Sequence, residues 1–358
     1  MTATAGRDRL VAAALAAGAL ALYVRTLLPG VGFSGDTAKW QFIGRVGGTP
    51  HPTGYPLYLM LDRAAVTLVP VGSTAWRANL LSALFGAATV GVLHLLQREL
   101  GVRPAVAAAT AATFAVTTTF WTHAVVAEVY TLHLWFLATV TLCLARWAQG
   151  GPDGWLLAGL GLLALSFGNH LGTVLALPGV AWLLWRDRRR ALTARTVACA
   201  ALFAAVGAAQ YGYLVWMTDV GRYVEERVYD VGDVLGLVTG GHFRDQMFTF
   251  TPGELLTDRV PLLARLARRE LGLLLVPAAY GVVRGLRAGG VRRAVAVHLL
   301  LLGLGAAVYG LNFDVVDVVV FFLPCFLVAA VFLGLGLDGL AGHLAAALDR
   351  RSGEGAGA

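Results

Sequence analysis

The chain has 358 residues, of which 58% are hydrophobic and only 14% charged, with a formal net charge of +7. Its mean hydropathy is +0.70 and its pI about 9.7. Soluble domains carry about 25% charged residues, so this balance excludes an ordinary soluble core. The surplus arginines fall in short loops between apolar runs, which reads as the topology signal of a membrane protein and excludes nucleic acid as a partner. Cys143, Cys199 and Cys325 lie far apart inside apolar runs and make no metal or redox motif.

A membrane span needs about 20 apolar residues. Taken in chain order, the candidates are 10–28, 78–97, 104–121, 124–145, 155–168, 171–185, 197–217, 271–286, 294–311 and 318–337. The first follows Arg7 and Arg9 and is too long for a signal-peptide core, so it is read as an uncleaved helix. Basic loops follow the even-numbered spans, "RDRRR" at 186–190 among them, which predicts cytoplasmic N- and C-termini in a multi-pass plasma-membrane protein. The expected architecture is all-α: about ten transmembrane helices in one multispanning catalytic-type domain, residues 1–340, with two large outward loops and a cytoplasmic tail, 341–358.

The first outward loop, Pro29 to Arg77, holds "GFSGDTAKWQFIGRVGG", the proline-rich turn "HPTGYPLY" and an apolar piece, 57–69, too short to span and expected at the interface. The spans at 155–168 and 171–185 are short. Two helices of roughly 15 residues each rise about 22 Å, less than the ~30 Å hydrocarbon core, so their tip, Asn169 and His170, is expected below the outer surface. It is either a buried hydrogen-bonded turn or a cavity wall. The second outward loop, Thr218 to Glu270, contains "VTGGHFRDQMF" and an amphipathic stretch, 254–270, read as an interfacial helix that accommodates Arg265, Arg268 and Arg269.

Polar residues at the rim of spans are functional candidates. On the outer side these include Asp36, His51, Glu128, His170, His242, Arg244 and Asp317. Glu128 is placed about one turn inside the outer end of its span, where a buried carboxylate must be paired, protonated or wet. His133, deeper on the same helix, reads as a core histidine bonded to a neighbour, with a catalytic role as the other reading. No dinucleotide, P-loop, zinc-protease or nucleophile-elbow motif is present, and no Asp-x-Asp pair.

The succession "GDTAKWQF", "HPTGYPLY", "RANLLSAL", "FWTHAVVAEVYTLH", "LSFGNHL", "VTGGHFRDQMF", "DVVVFFLP" resembles a membrane family known as a domain of unknown function and related to the protein O-mannosyltransferases, within the GT-C glycosyltransferases. The resemblance runs from about residue 10 to 337. It implies a GT-C-like helical bundle that takes sugar from a polyprenyl-phosphate carrier at the outer face, with Asp36 at the position of the acidic residue in the first outward loop. Relatives read Asp-Ser-Gly-Glu-Phe where this chain reads "DTAKW", so Lys39 replaces a glutamate; a second acid near the last helix is replaced by Val319, while Asp317 matches.

Glycosyl transfer suits these residues. An acceptor hydroxyl must lose a proton as it attacks, and a carboxylate in reach can take it, which makes Asp36 and Glu128 the catalytic candidates. The departing phosphate needs cationic or N–H donors; Lys39, His51, Tyr55, His170, His242, Arg244 and Asp317 are the candidates for binding substrate or lipid phosphate. For three of them a local reading stands beside this: Asp36 as a helix N-cap, Arg244 as a headgroup anchor, and the His51 turn as a rigid support for Asp36. The expected partners are a polyprenyl-phosphate-linked sugar, membrane lipid and an acceptor protein or glycan; no cofactor or metal is expected. A lipid or solute transporter is the competing class, disfavoured by the lack of an internal repeat, and the Lys39 and Val319 departures leave a non-catalytic scaffold open.

Overall fold

The computed structural model describes residues 3–33 and 35–355, without the side chains of residues 3, 4, 242 and 351–355. Helix α1 (Ala3–Thr26) crosses first and is followed by two short helices, α2 (Thr37–Val46) and α3 (Pro56–Leu68), so the first outward loop is itself largely helical. Pro56 opens α3 at a position where its missing N–H costs nothing. Helix α4 (Thr74–Glu99) starts on Ser73, whose hydroxyl accepts from the Trp76 N–H at 3.2 Å.

The expected spans 104–121 and 124–145 are drawn differently. Helix α5 (Pro104–Ala115) stops early, α6 (Thr118–Ala124) is a separate short helix, and α7 runs Tyr130–Ala148. Glu128 is therefore not a turn inside a helix but lies in the irregular stretch between α6 and α7. The reason is polar. Thr119 bonds Glu270 through its N–H and its hydroxyl, at 3.0 and 2.6 Å, and the Glu128 backbone is held by Ser82, so this stretch finds partners that a continuous helix would deny it.

Helix α8 (Asp153–Ser166) and α9 (Leu177–Arg186), the latter entered through a 3₁₀ turn at Leu171–Ala176, form the short hairpin as expected. After the basic turn α10 (Arg188–Ala191) come α11 (Ala194–Ala209) and α12 (Gly212–Val220), nearly continuous, then α13 (Val231–Val238). The amphipathic stretch is α14 (Pro252–Glu254), a π turn, and α15 (Val260–Leu271); Leu266 is buried while Arg265, Arg268 and Arg269 are exposed. Helices α16 (Leu275–Arg287), α17 (Gly290–Leu311) and α18 (Leu323–Gly355) complete the chain. Among the described residues six helices are long and apolar enough to cross a membrane, and three shorter apolar helices, at 104–115, 153–166 and 171–186, stand beside them.

The main core joins α1, α4, α5, α7, α17 and α18 around Tyr23, Phe114, Trp147 and Phe332. Deep inside it, the Gln97 amide donates to the Ala330 carbonyl at 2.8 Å and accepts from the Thr110 hydroxyl at 2.7 Å, tying α4, α5 and α18 by polar contacts of the kind lipid-facing bundles favour. One end of the bundle is a chain of ion pairs: Arg98 with Asp8, Arg146 with Glu99, Arg103 with Asp338 and Arg190 with Asp153. Arg98 lies 19 residues along α4 from Asn79, about 29 Å at 1.5 Å per residue, which matches the hydrocarbon thickness. At the opposite end a second core, Trp40, Tyr58, Leu59, Val129 and Leu237, packs under α2 and α3. There the only sheet among the described residues forms: strand β1 (Gly48–Thr49) pairs in parallel with β2 (Tyr223–Val224), with Gly48 opposite Tyr223. A Cβ on Gly48 would overlap the Tyr223 carbonyl oxygen, so this junction of the two outward loops admits glycine alone.

Candidate functional site

Helix α2 builds the site. Its N-cap residue is Asp36, but the carboxylate makes no capping bond to the helix. Its oxygens turn away, to Lys39 Nζ at 3.1 Å and His51 Nε2 at 3.4 Å. The local reading of Asp36 as a cap is thus not what its side chain does, and it stays about 40% exposed. Lys39 also reaches Glu225 Oε2 at 2.8 Å and His51 Nδ1 at 2.7 Å. An ammonium has three hydrogens and no lone pair, so its donors are fully spent on Asp36, Glu225 and His51. Burial opposes the Lys39 charge, yet the bond to Glu225 and the field of Asp36 outweigh it and hold its pKa above the usual 10.5.

The same bookkeeping of donors fixes His51. Burial pushes its pKa below the ordinary 6.5, and the Lys39 charge adds to that against the pull of Asp36 and Glu225. The neutral ring must accept from Lys39 at Nδ1, which leaves its proton on Nε2, facing Asp36 and the Tyr55 hydroxyl at 3.4 Å. The ring is wedged among Trp40, Tyr55 and Phe243, with centroids 5.8, 5.3 and 5.9 Å away. The imidazole is thus clamped by aromatics from three places, Trp40 of α2, Tyr55 of its own turn "HPTGYPLY" and Phe243 of the second outward loop. Tyr55 itself sits at φ +50, the left-handed region, where the chain reverses into α3.

Glu128 lies next to this cluster. Its carboxylate accepts from the Thr37 hydroxyl at 3.0 Å, and it is buried. Burial raises its pKa from 4.5 to about 8, against the Thr37 bond. Two residues of "RANLLSAL" set its place: Ser82 bonds its backbone, and Asn79 accepts from the Ala127 N–H at 2.8 Å while donating to the Leu28 carbonyl. Asn79 also takes the Gln41 amide at 2.9 Å, so the chain just after α1, α2, α4 and the Glu128 stretch meet on one asparagine. His170 closes the far side against Tyr55, Tyr130 and Phe321, with His133 behind it at 4.6 Å. Asn169 is fully buried and donates to the Val129 carbonyl at 3.2 Å, while its neighbours Phe167, Leu171 and Gly172 line an apolar cavity, so the tip is hydrogen-bonded and part of a cavity wall at once. Asp317 is exposed and near enough for its charge to act on His51, His123 and Glu128.

Arg244 does not join the cluster. Its guanidinium turns to its own loop, onto the Thr239 carbonyl at 3.2 Å and the Thr239 hydroxyl. His242 lies in the 3₁₀ turn Gly241–Gln246, and its side chain is outside the described residues. The sequence reading missed Glu225, which joins Lys39 to the His51 N–H (3.1 Å) across 174 residues, and it missed Asn79 and Ser82. Beside the cluster an apolar cavity of about 820 Å³ opens between α8, α11 and α13, lined by Leu163, Ala204, Tyr211, Leu235 and Tyr309 and reaching Thr53 in the His51 turn. Neither 57–69 nor 254–270, the pieces expected at the interface, lines it; α3 buries Tyr58, Leu59 and Val66 in the second core. Among the described residues no group of three or more His, Cys, Asp or Glu side chains is placed to hold a metal ion.

Residues 45–193 match the family model of the protein O-mannosyl-transferase TMEM260 N-terminal domain. That segment holds "HPTGYPLY" and "AEVYTLH", the two stretches that carried the resemblance, together with His51, Tyr55, Glu128 and His170; Asp36, Lys39, Glu225 and Asp317 fall outside it. The protein O-mannosyl-transferase TMEM260 of Mus musculus is 29% identical over 250 residues, covering 66% of this chain and 34% of its own. The chain thus spans about a third of that relative's length. The crystal structure of ArnT from Cupriavidus metallidurans bound to undecaprenyl phosphate superposes with a TM-score of 0.65 over 91% of this chain and 60% of its own, at 15% identity. The fold is shared with that protein, and the chain is a multi-pass membrane protein.

Proposed function

We propose that this chain is a GT-C-type membrane glycosyltransferase that moves a sugar, mannose by its kinship, from a polyprenyl-phosphate carrier to a hydroxyl acceptor such as protein Ser or Thr at the outer face. The observation that carries this reading is the Asp36 carboxylate: it declines its capping role, remains open, and is oriented by Lys39 and His51 beside an apolar cavity. In the reaction the acceptor oxygen attacks the anomeric carbon and its proton passes to Asp36, while the bond from that carbon to the phosphate oxygen breaks and the phosphate leaves with the electron pair. Lys39 and backbone N–H groups are the donors that meet the phosphate charge, which requires Lys39 to release one of its three present partners.

The apolar cavity suits a polyprenyl chain; the ArnT structure was solved with undecaprenyl phosphate. The kinship with TMEM260 supports mannose and a protein acceptor. With no clustered metal ligands among the described residues and an ammonium already in the acidic cluster, the reaction is proposed to run without a tightly held metal. The ion-paired end of the bundle, rich in arginine, is proposed to face the cytoplasm at the plasma membrane, with both chain termini there and the Asp36 end outside. The test is transfer by the purified full chain in lipid nanodiscs, offered polyprenyl-phosphate mannose and a Ser/Thr peptide, with and without EDTA. Turnover from a nucleotide sugar but not from the lipid donor overturns the donor assignment, and loss in EDTA restored by a divalent ion overturns the metal assignment.

A further inference from the structure

The other end of α2 carries a second concave site. Arg45 from the last turn of α2, Arg63 from α3 and Arg222 just after α12 converge on one cavity of about 490 Å³. All three are exposed, and among the described residues none of their guanidiniums is paired with a carboxylate. Arg45 has a local reason to be there, the negative end of the α2 dipole. Arg63 reaches the Tyr213 hydroxyl but no acid, and Asp62 beside it is turned inward onto the Gly44 N–H at 3.1 Å. Three like charges brought together from three elements repel unless an anion lies between them.

The floor is cut to leave room. Gly47, at φ +73, accepts the Arg222 and Tyr223 N–H groups, and a Cβ on it would stand 3.3 Å from Arg63 Nη1 and 3.2 Å from Met217 Sδ. The rim is apolar on the α12 side, where Trp216 and Val220 are each 53% exposed. The apolar helical stretch Ala194–Val220, long enough to cross a membrane, ends at this rim, which places the arginines at headgroup depth with an interfacial tryptophan next to them.

We infer that Arg45, Arg63 and Arg222 form a binding site for the phosphodiester headgroup of an anionic phospholipid, separate from the Asp36 cluster about 14 Å away along α2 at 1.5 Å per residue. Guanidinium forks match phosphate oxygens in pairs, and basic pockets at span ends hold anionic headgroups. The lipid tails run down the exposed apolar face of α12.

The probe is phosphatidylglycerol, titrated onto the detergent-purified full chain and read by native mass spectrometry and thermal melting, against phosphatidylcholine and soluble glycerol phosphate. Wild type retains phosphatidylglycerol in preference to phosphatidylcholine. The triple variant Arg45→Gln, Arg63→Gln, Arg222→Gln binds it about tenfold more weakly or worse, the scale expected for losing charge-assisted bonds. The triple Lys variant, which keeps charge and loses the fork, falls between and serves if the Gln form is not stably made. Equal binding of the two lipids by wild type, or undiminished phosphatidylglycerol binding in the variants, overturns the site. A full effect from glycerol phosphate alone overturns the lipid as its occupant.

Discussion

Asp36 and Glu128 are two carboxylates 92 residues apart in the chain and separated in the fold by one threonine, Thr37, yet their surroundings give them different work. Asp36 is open and held between two donors. Asp36→Asn keeps the shape and loses the base, so transfer is expected to fall by about 10²–10⁴-fold, the range of general-base losses, while the purified variant melts as wild type does; near-normal turnover would reduce Asp36 to a structural residue. Glu128 is buried, with its pKa raised from 4.5 to about 8. A carboxyl whose folded pKa lies above the unfolded one stabilises fully below the unfolded value and loses that contribution as pH rises through the folded value. Stability of the detergent-solubilised chain is therefore expected to decline between pH 4.5 and about 8 by a component that Glu128→Gln removes. Melting curves across that window decide it, and parallel profiles for the two proteins would mean that Glu128 is not the titrating group.

At the scale of elements, α2 shows how much of the site could be read in advance. Thr37, Trp40, Gln41 and Gly44 are all buried, and their spacing of i, i+3, i+4, i+7 is the periodicity of a helix face, so the short helix after Asp36 and its inward stripe were visible in "DTAKWQFIGR". The Tyr55 side of the clamp around His51 was visible as a dense proline-aromatic turn, whereas Trp40 and Phe243 come to it from elsewhere in the chain. Glu225 was not: nothing in "YVEERVYD" marks one glutamate, and only the pairing of β1 with β2 carries it to Lys39. The break between α5 and α7 was hidden as well, because the hydrophobic run continues through it and the residues that open it, Ser82 and Glu270, lie elsewhere in the chain. The β1–β2 junction gives the prediction at this scale. Gly48→Ala must push Tyr223 away, which moves Glu225 off Lys39 and uncouples the outward loops. Overpacking of this kind costs about 1–3 kcal/mol, and it is expected to lower both the melting midpoint and transfer. Glu225→Gln leaves the junction intact but removes the charge that holds Lys39, whose bond to a neutral amide oxygen is weaker and more readily exchanged for phosphate; it is expected to lower KM for the phosphate-bearing donor with the melting midpoint little changed. A raised KM in that variant would show that Glu225 orders the site instead of holding Lys39 back.

For the whole molecule, the arrangement is polar at both ends and apolar along the flank between α8 and α11. Expectation and structure agree on a mostly helical membrane bundle; of the ten expected spans six correspond to helices long and apolar enough to cross, while 104–121 divides between α5 and α6 and the hairpin at 153–166 and 171–186 is built of shorter apolar helices. Which end faces outward is testable by labelling in whole cells: a cysteine at exposed Val31 is expected to react with an impermeant reagent and one at exposed Arg188 only after lysis, and the reverse pattern would put the proposed site in the cytosol. The remaining consequence concerns the cavity of about 820 Å³. A polyprenyl donor is mostly hydrocarbon, and burying it is favourable by about 25 cal/mol for each Å² removed from water. If the chain of the donor lies in this cavity while its phosphate reaches the His51 turn through Thr53, filling the cavity must weaken long donors and spare short ones. Ala204 faces the cavity and is exposed, so Ala204→Phe adds bulk without disturbing the core. The expected outcome is a KM raised by about tenfold for a long-chain polyprenyl-phosphate sugar, the effect of losing about 1.4 kcal/mol of apolar contact, with kcat and the KM for a two-isoprene water-soluble analogue unchanged. Equal loss with both donors would place the damage in the reaction centre, and no loss with either would seat the lipid elsewhere. The split between the two donors isolates the cavity from the chemistry at Asp36, because only the hydrocarbon differs between them.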